Sequence, residues 1–362
     1  MIGQNVIARH LVRFLFVIFW AVIIYLFLLL PYTERLFFHD QEYLCIYTWA
    51  DRVDETVLQN FEKETGIKVY MNYYESNEEL LTKLENMPFV DCDIILPSGY
   101  IISSMIQSGL LKKMDRAKCH FLDRMYPDFL HSHDSKRDEY TVPLYWDVLG
   151  IGYNNQKVKI DDVSLKAVFD QKYLVGHQIG MIDDSRQSIF LAALYLGYSL
   201  DSLSKAQLKD LRKLLNEQKQ WVGAYSDSQQ GYFLASKTFA IVASEREHIC
   251  KQMLNHDFVS FYLPKEGSLI TADHVVISAS TKKDELVYKF INYLFEHDVL
   301  KYNCEAFCLM PTVKDVFEKL DQKYIGVDDL WPGSEKFKEL KVFKNILTHK
   351  QINDFWVRLK SV

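Results

Sequence analysis

The sequence contains little glycine, proline and cysteine, and each shortage excludes a class of protein. Only 14 glycines and 8 prolines occur among 362 residues, which excludes a collagen-like chain and a Pro/Gly-rich disordered one. The 6 cysteines are too few for a small disulfide framework and include no Cys-x-x-Cys pair, which argues against a structural zinc site. The sequence does not specify whether any of them pair. No repeat is visible, which argues against a solenoid or a propeller.

Neither sign of charge dominates the chain. Lysine and arginine number 42 against 48 acidic residues, so the net charge of −6 disfavours a strongly basic nucleic-acid binder and is compatible with a cationic ligand. The sequence also lacks a Ser/His/Asp nucleophile arrangement, a P-loop and a metal-binding motif. The cluster His131-Ser132-His133-Asp134 lies in a polar run and is expected to be a solvated loop. We therefore expect no enzymatic activity, no cofactor and no bound metal.

Near its N-terminus the chain does have a long apolar run. Phe14–Leu30 is unbroken by any charged or small polar residue, and its length is just sufficient for a membrane-spanning helix. Arg9 and Arg13 precede the run, which predicts a cytoplasmic N-terminus and export of the remainder. The alternative is a signal peptide removed during export, although no small-residue cleavage site follows the run. Residues 1–42 are interpreted as a cytoplasmic stub, a transmembrane anchor and a tether.

Beyond residue 42, segments typical of strands alternate with segments typical of helices. Tyr43–Trp49 is rich in aromatic and β-branched residues, and Asp54–Thr65 is an amphipathic helix ended by Gly66. Further strands are expected at Ile67–Tyr74, Asp93–Leu96, Tyr140–Tyr145, Gly150–Tyr153, Gln178–Ile182, Phe239–Ala243, Phe258–Leu263 and Ser268–Ser280. Further helices are expected from the capping box at Ser76 through Leu84, and at Ile101–Ser108, Gln187–Leu196, Ser204–Gln220, Asp284–Glu296 and Glu335–Leu347. The alternation indicates an α/β fold with βαβ units and a mostly parallel sheet.

Four segments are expected to share one edge of this fold. In open α/β sheets, ligands bind beyond the carboxyl ends of the strands and near the N-termini of helices. That rule places Trp49–Arg52, Ser98–Tyr100, Asp183–Gln187 and Ala243–Glu247 on a common rim. The sequence therefore predicts a ligand site that is assembled from distant parts of the chain.

Several strings of residues, taken in order along the chain, carry a family resemblance. They are Tyr47-Thr48-Trp49-Ala50-Asp51, Phe61-Glu62-Lys63-Glu64-Thr65-Gly66-Ile67-Lys68-Val69, Tyr74-Glu75-Ser76-Asn77-Glu78, Pro97-Ser98-Gly99-Tyr100, Val142-Pro143-Leu144-Tyr145-Trp146, Gly150-Ile151-Gly152-Tyr153-Asn154 and Pro264-Lys265-Glu266-Gly267. Together they resemble the spermidine/putrescine-binding periplasmic proteins of ABC importers, which are bacterial extracellular solute-binding proteins. The resemblance extends from Tyr43 to the C-terminus and is strongest over the first half.

The resemblance implies a two-lobed periplasmic binding-protein fold of the type II-like kind. The first lobe would comprise residues 43–148 and 273–312, and the second lobe residues 149–272 and 313–362. Such proteins close on a solute by hinge motion and deliver it to the permease of an ABC importer.

The chemistry of a polyamine site is simple. Each buried ammonium group needs a carboxylate, because an unpaired buried cation costs several kcal/mol. Methylene stems need flat apolar walls, which aromatic rings provide together with cation–π attraction. By resemblance, Trp49 would be an aromatic wall, Asp51 an acidic group of the first lobe, and Asp184 and Asp273 the carboxylates that hold amines. The candidate ligand-binding residues are Trp49, Asp51, Arg52, Ser98, Tyr100, Asp184, Gln187 and Asp273.

The chain also departs from the family pattern. Ser98 and Tyr100 match its polar and aromatic contacts, but Arg52 stands where an aromatic residue is expected and Gln187 replaces the second carboxylate of an Asp-x-x-Glu pair. Missing aromatic residues are two tryptophans, near Ala243 and Thr271, and a tyrosine, near Cys308. Glu245 or Glu247 could compensate in charge.

The function that the resemblance implies is capture of a spermidine- or putrescine-like cation for an ABC importer. The binding domain would lie in the periplasm, held to the inner membrane by the N-terminal helix or secreted after its removal. One alternative is a different small solute, such as an amino-acid-like zwitterion whose carboxylate pairs with Arg52. Another is a membrane-tethered sensory module of the same fold. Nucleic acid is not an expected partner.

Overall fold

The computed structural model describes residues 13–26, 42–86, 91–130, 135–173, 178–342, 347 and 349–360. The strands are β1 (Tyr43–Thr48), β2 (Lys68–Tyr73), β3 (Ile94–Leu96), β4 (Leu111–Lys112), β5 (Thr141–Asn154), β6 (Ile179–Met181), β7 (Val222–Tyr225), β8 (Ile241–Glu245), β9 (Val259–Tyr262), β10 (Leu269–Ser278), β11 (Met310–Pro311) and β12 (Lys341–Val342). The helices are α1 (13–26), α2 (Glu55–Thr65), α3 (Asn77–Asn86), α4 (Ile102–Gln107), α5 (Pro127–Leu130), α6 (Ser135–Asp138), α7 (Lys166–Phe169), α8 (Ser185–Tyr195), α9 (Lys205–Gln218), α10 (Gln230–Ala235), α11 (Arg246–Met253), α12 (Asp284–Leu294), α13 (His297–Phe307), α14 (Lys314–Phe317), α15 (Gln322–Ile325), α16 (Glu335–Glu339) and α17 (His349–Lys360). Single 3-10 turns lie at Gly99–Ile101, Arg116–Lys118, Leu122–Arg124 and Gln171–Tyr173.

Local signals explain where the first helix of the folded region begins and ends. Asp54 precedes α2, and its side chain accepts a hydrogen bond from the backbone N of Thr56 at 2.8 Å. Gly66 ends the helix with φ 74°, a left-handed conformation that glycine adopts without steric cost. The apolar face between these ends is buried, with Phe61 fully enclosed. The predicted helix over Asp54–Thr65 is confirmed.

The strand β5 connects two sheets. Its first half pairs antiparallel with β10, and its second half pairs antiparallel with β8 and β9. The strand order is β2-β1-β3-β10-β5-β8-β6-β7, with β1 parallel to β2 and β3, and β6 parallel to β7 and β8. The sequence predicted two extended segments that flank Trp146 and Asp147. That interpretation is wrong in detail, because both residues pair with β10 and the strand continues through them.

The apolar cores divide the protein into two lobes. Along β5 the side chain of Val148 packs in the first core, whereas that of the adjacent Leu149 packs in the second. Along β10 the change occurs between Leu269 and Ile270. The two long strands therefore cross side by side from one lobe to the other, and a cleft opens where they cross.

The C-terminal part of the chain does not follow the predicted division of domains. All of 313–362 was expected in the second lobe, but the buried apolar residues from Val313 to Leu330 pack in the first core. The cause is β11, which pairs with β5 at Trp146 and Tyr145 and holds the following chain against the first lobe. The second core receives α17.

The predicted helix over Glu335–Leu347 is also shorter than expected. α16 ends at Glu339, and Lys341–Val342 forms a short strand parallel to β10. Residues 343–346 lie outside the described residues.

The N-terminal segment is helical over 13–26. Among the described residues, no helix combines the length and the apolar character that crossing a bilayer requires. Residues 27–30 of the predicted anchor lie outside the described residues, as do the histidines of the 131–134 cluster. All six cysteines are described, and each is a buried free thiol.

A buried arginine joins the lobes where the chain crosses between them. Arg246, the first residue of α11, donates from Nε to Asp147 Oδ1 at 2.8 Å. Its Nη1 donates to the carbonyl oxygens of Tyr324 and Ile325 at 2.8 and 2.9 Å, and its Nη2 donates to that of Cys308. The guanidinium therefore links α11 of the second lobe to the first-lobe segment that follows α13. Burial raises the pKa of Asp147 to about 6, against the opposing charge of Arg246.

We expect Arg246→Gln to reduce the free energy of unfolding by about 3–5 kcal/mol, because Asp147 is left buried without its cation. The Arg246 side chain is 1% exposed, whereas that of Lys213, in an ion pair on α9, is 78% exposed. The matched control Lys213→Gln should therefore change stability by less than about 0.5 kcal/mol. Denaturant unfolding measures both. Equal effects of the two substitutions would contradict this role of Arg246.

Candidate functional site

A cleft of about 1210 Å³ lies between the two lobes. Its walls come from the carboxyl ends of β1, β3, β6 and β8, from the crossing strands β5 and β10, and from the first turn of α8. The predicted rim residues meet there. All eight candidate residues line the cleft, namely Trp49, Asp51, Arg52, Ser98, Tyr100, Asp184, Gln187 and Asp273.

Arg52 lies at the centre of the cleft's charged groups. Its Nε donates to Asp273 Oδ2 at 2.5 Å, and its Nη1 donates to Glu247 Oε1 at 3.1 Å. Nη1 also donates to the carbonyl oxygen of Asp51 at 3.2 Å, and the hydroxyl of Tyr145 donates to the carbonyl oxygen of Arg52 at 3.0 Å. Because its two carboxylate partners stand on opposite lobes, the guanidinium bridges the cleft.

Asp273 projects from β10 at a bulge between Asp273 and His274. Besides Arg52, it faces the hydroxyl of Ser98, which donates to Asp273 Oδ1 at 3.4 Å. Burial raises the pKa of the carboxyl, and the neighbouring Arg52 opposes that shift. The carboxylate that the resemblance assigned to a ligand amine is thus paired with an arginine of the same chain.

Asp51 points to a different partner from the one expected. It has φ 58°, in the left-handed region, and its carboxylate forms an ion pair with Lys251 Nζ at 2.8 Å on α11. Its side chain is 57% exposed at the mouth of the cleft. The predicted acidic group of the first lobe therefore forms a bridge between the lobes at the surface.

The second lobe contributes a group of carboxylates at the start of α8. Asp184 caps this helix, accepting a hydrogen bond from the backbone N of Gln187 at 2.8 Å, and its own backbone N donates to Asp227 Oδ1 at 2.8 Å. Burial raises the pKa of Asp184. Asp183 forms an ion pair with Lys360 of α17. The capping role and a role in holding a ligand use different oxygens and are compatible.

Glu245 and Glu247 were predicted to lie on the common rim and to be able to compensate in charge, and the structure places both in the cleft. They follow from the rule on strand ends, since they lie at the carboxyl end of β8. Gln187 Nε2 donates to Glu245 Oε1 at 3.0 Å. Glu245, Glu247 and His248 also bring ligand atoms within 4.8 Å of one another, as a metal site would need. Glu247, however, already accepts a hydrogen bond from Arg52.

Aromatic rings form part of the cleft wall. The rings of Trp49 and Tyr74 lie with their centroids 4.6 Å apart. The buried Nε1 of Trp49 has no hydrogen-bond partner among the described residues. Tyr74, Tyr225 and Phe337 were not among the predicted site residues, yet all three line the cleft. They provide aromatic surface in a chain that lacks several aromatic residues of the family pattern.

A second arginine also bridges the lobes. Arg186 of α8 donates from Nη1 to Glu78 Oε1 of α3 at 3.1 Å, and its guanidinium carbon lies 4.3 Å from the centroid of the Tyr100 ring. The Tyr100 hydroxyl accepts from Asn77 Nδ2 at 2.8 Å. Burial raises the pKa of Tyr100 well above its usual value. The cleft thus has cationic bridges at both Arg52 and Arg186.

We expect Asp227→Asn to flatten the fall in stability as the pH rises from about 4 to about 6. Desolvation in the cleft, then the charges of Asp184 and Asp183, raise the pKa of Asp227 to about 6, and because the residue is solvent-exposed its charge is also screened. The folded state therefore retains a proton that the unfolded chain, with a carboxyl pKa of about 3.9, releases. Asparagine keeps the oxygen that accepts from Asp184 and removes the charge.

Thermal unfolding of both proteins across this pH range measures the difference. The exposed Asp161→Asn serves as a control with the same change of charge. Identical pH profiles for the wild type and Asp227→Asn would show that Asp227 does not titrate as described.

Comparison with known proteins agrees with this architecture. The family described as bacterial extracellular solute-binding protein matches residues 56–326. The spermidine/putrescine-binding periplasmic protein of Escherichia coli (strain K12) is 28% identical over 83% of this chain and 86% of its own length. The putrescine-binding periplasmic protein SpuD of Pseudomonas aeruginosa (strain UCBPP-PA14) is 26% identical over 89% of this chain and 93% of its own.

A solved structure resembles the fold. It is the spermidine/putrescine ABC transporter substrate-binding protein PotD from Streptococcus pneumoniae, with a TM-score of 0.76 at 25% identity over 88% of this chain and 99% of that chain. The two lobes described above are thus those of a periplasmic binding protein. This chain belongs to the bacterial extracellular solute-binding protein family.

Proposed function

We propose that this protein captures a polyamine outside the cytoplasmic membrane and delivers it to the permease of an ABC importer. The observation that carries the proposal is the excess of carboxylates over cations among the side chains that line the cleft between the lobes. Asp273, Glu247, Glu245 and Asp184 all line it, with Arg52 among them. An ammonium group entering this cleft meets acids from both lobes.

The aromatic walls support the same class of ligand. Trp49 and Tyr74 present paired rings from the first lobe, and Tyr225 faces the cleft from the second. Rings of this kind pack against methylene groups and attract cations by about 0.5–2 kcal/mol. The relatives named above are described as binding spermidine or putrescine, whose chains combine these two features.

A zwitterion is less suited to the geometry. Its carboxylate was expected to pair with Arg52, but Asp273 and Glu247 both accept hydrogen bonds from that guanidinium. An entering carboxylate would therefore approach two like charges at short range, which is unfavourable in a partly buried site. Arg52 therefore changes which carboxylates of the cleft can bind a cation, and it does not create a site for an anion.

The architecture supports delivery by a hinge. Two lobes joined by the crossing strands β5 and β10 can close on a ligand, as in other proteins with this kind of connection. We assign the two lobes to the type II-like arrangement of periplasmic binding proteins. We infer no catalytic role for the cleft. A sensory module would use the same fold and the same ligand. Uptake of radiolabelled polyamine by cells with and without the gene distinguishes transport from sensing.

We expect the folded part, residues 43–362, to bind putrescine or spermidine. Trp49→Ala and Asp184→Asn should each weaken binding by about 1–3 kcal/mol, since one removes an aromatic wall and the other a carboxylate. Asparagine at 184 still caps α8, so the loss reports on charge. Isothermal titration calorimetry provides the measurement, with the exposed Trp331→Ala as the control. No heat with either polyamine at millimolar concentration would refute the proposed function.

We also propose that the N-terminal apolar run holds the binding domain at the inner membrane, with removal after export as the alternative. Mass spectrometry of the protein extracted from membranes distinguishes the two. An intact N-terminus supports the anchor, because the run must survive to hold the protein. A mature chain that begins between residues 32 and 45 supports a removed signal and contradicts the anchor.

A further inference from the structure

Two carboxylates in the cleft are already neutralised by a cation of the protein. Arg52 donates to Asp273 at 2.5 Å and to Glu247 at 3.1 Å, and only 9% of the arginine is exposed. A ligand ammonium that displaced it from these carboxylates would leave a buried guanidinium without its anionic partners, at a cost of several kcal/mol. Asp273 and Glu247 are therefore poor acceptors for a ligand cation while Arg52 stays in place.

Glu245 has a different set of partners. Its Oε1 accepts from Gln187 Nε2 at 3.0 Å and from Thr271 Oγ1 at 3.2 Å, and both donors are neutral. Among the described residues, no lysine, arginine or histidine forms an ion pair with this carboxylate. Glu245 lines the cleft, and its position is fixed because β8 pairs it with Leu149 of β5. Among the described residues it is thus an acid of the cleft whose direct hydrogen-bond donors carry no charge.

We propose that Glu245 accepts an ammonium group of the ligand, and that Arg52 acts as a built-in cation that excludes a further ammonium from Asp273 and Glu247. The proposal rests on the proposed function and defines its substrate class. Arg52 already occupies one of the positions at which a long polyamine would place an amine. The cleft therefore selects a short diamine over a triamine.

The second ammonium of a diamine has an acceptor on the same helix. Gln187, which contacts Glu245, lies in the first turn of α8, and Asp184 caps that turn. Asp227 adjoins Asp184 through a 2.8 Å hydrogen bond to its backbone N. The start of α8 thus connects two acidic places, one at Glu245 and one at the pair Asp184 and Asp227. Both acidic places line the cleft, and neither is paired with Arg52, so a diamine bound there would leave the arginine in place.

The ionisation of Glu245 agrees with this role. Burial, followed by the negative charges of Glu247, Asp147 and Asp273, raises its pKa well above the usual value, and Arg52 opposes the shift. A ligand cation favours the ionised form, so binding should release a proton at a pH where the empty cleft keeps Glu245 protonated.

The test is isothermal titration of putrescine and spermidine into the wild type, Glu245→Gln and Arg52→Gln, with thermal unfolding to verify that each variant is folded. The exposed Glu285→Gln on α12 is the control with the same loss of charge. We expect the wild type to prefer putrescine and Glu245→Gln to lose at least about tenfold in affinity. Arg52→Gln should shift the preference at least about tenfold towards spermidine, because Asp273 and Glu247 become available.

Titration in two buffers of different ionisation enthalpy adds a measurement that a purely structural role would not affect. The wild type should release a larger fraction of a proton on binding than Glu245→Gln does. If Glu245→Gln does not fold, the shift in selectivity of Arg52→Gln tests the proposal.

The outcomes separate the two proposals. A wild type that binds a polyamine, together with a Glu245→Gln variant within twofold of its affinity, overturns the role of Glu245 and leaves the proposed function standing. An Arg52→Gln variant with unchanged selectivity overturns the role of the arginine. A wild type that binds neither polyamine overturns the proposed function, and this inference with it.

Discussion

The guanidinium of Arg52, held between carboxylates of the two lobes, sets the electrostatics of the whole cleft. A buried ion pair is favourable only when its geometry is good and its remaining donors are satisfied. Here Asp273, Glu247 and the carbonyl oxygen of Asp51 accept its hydrogen bonds. The family resemblance leads one to expect an aromatic residue at this position. In this chain the arginine neutralises part of the negative charge of the cleft.

The framework around this interaction consists of the connections between the two lobes. β5 runs unbroken from one core to the other, and nearly all of its residues are buried. Arg246 adds a second connection, from α11 to the carbonyl oxygens of Tyr324 and Ile325. The lobes are thus joined by covalent and buried connections, and the ion pairs of Asp51 with Lys251 and of Arg186 with Glu78 also link them.

Much of the fold could be predicted because its signals are local. Asp54 and Gly66 mark the ends of α2 by capping and by backbone conformation, and both act within a few residues. The segment after Pro311 could not be placed in the same way. The helices at Lys314–Phe317 and Gln322–Ile325 are single turns with too few residues to show a period, so the pairing of β11 with β5 decides that they join the first core.

The sequence by itself determined the α/β alternation, the family resemblance and eight of the residues that line the cleft, because strand ends and motifs are encoded by neighbouring residues. Only the tertiary structure decided how those residues pair. Arg52 lies 221 positions from Asp273 and 195 from Glu247, and Asp51 lies 200 from Lys251. Contacts over such separations depend on the tertiary fold, and those to Glu247 and Lys251 depend on how the two lobes approach each other, which no local pattern records. That approach turned an expected ligand acid at Asp51 towards a lysine, while Glu245 forms no ion pair among the described residues.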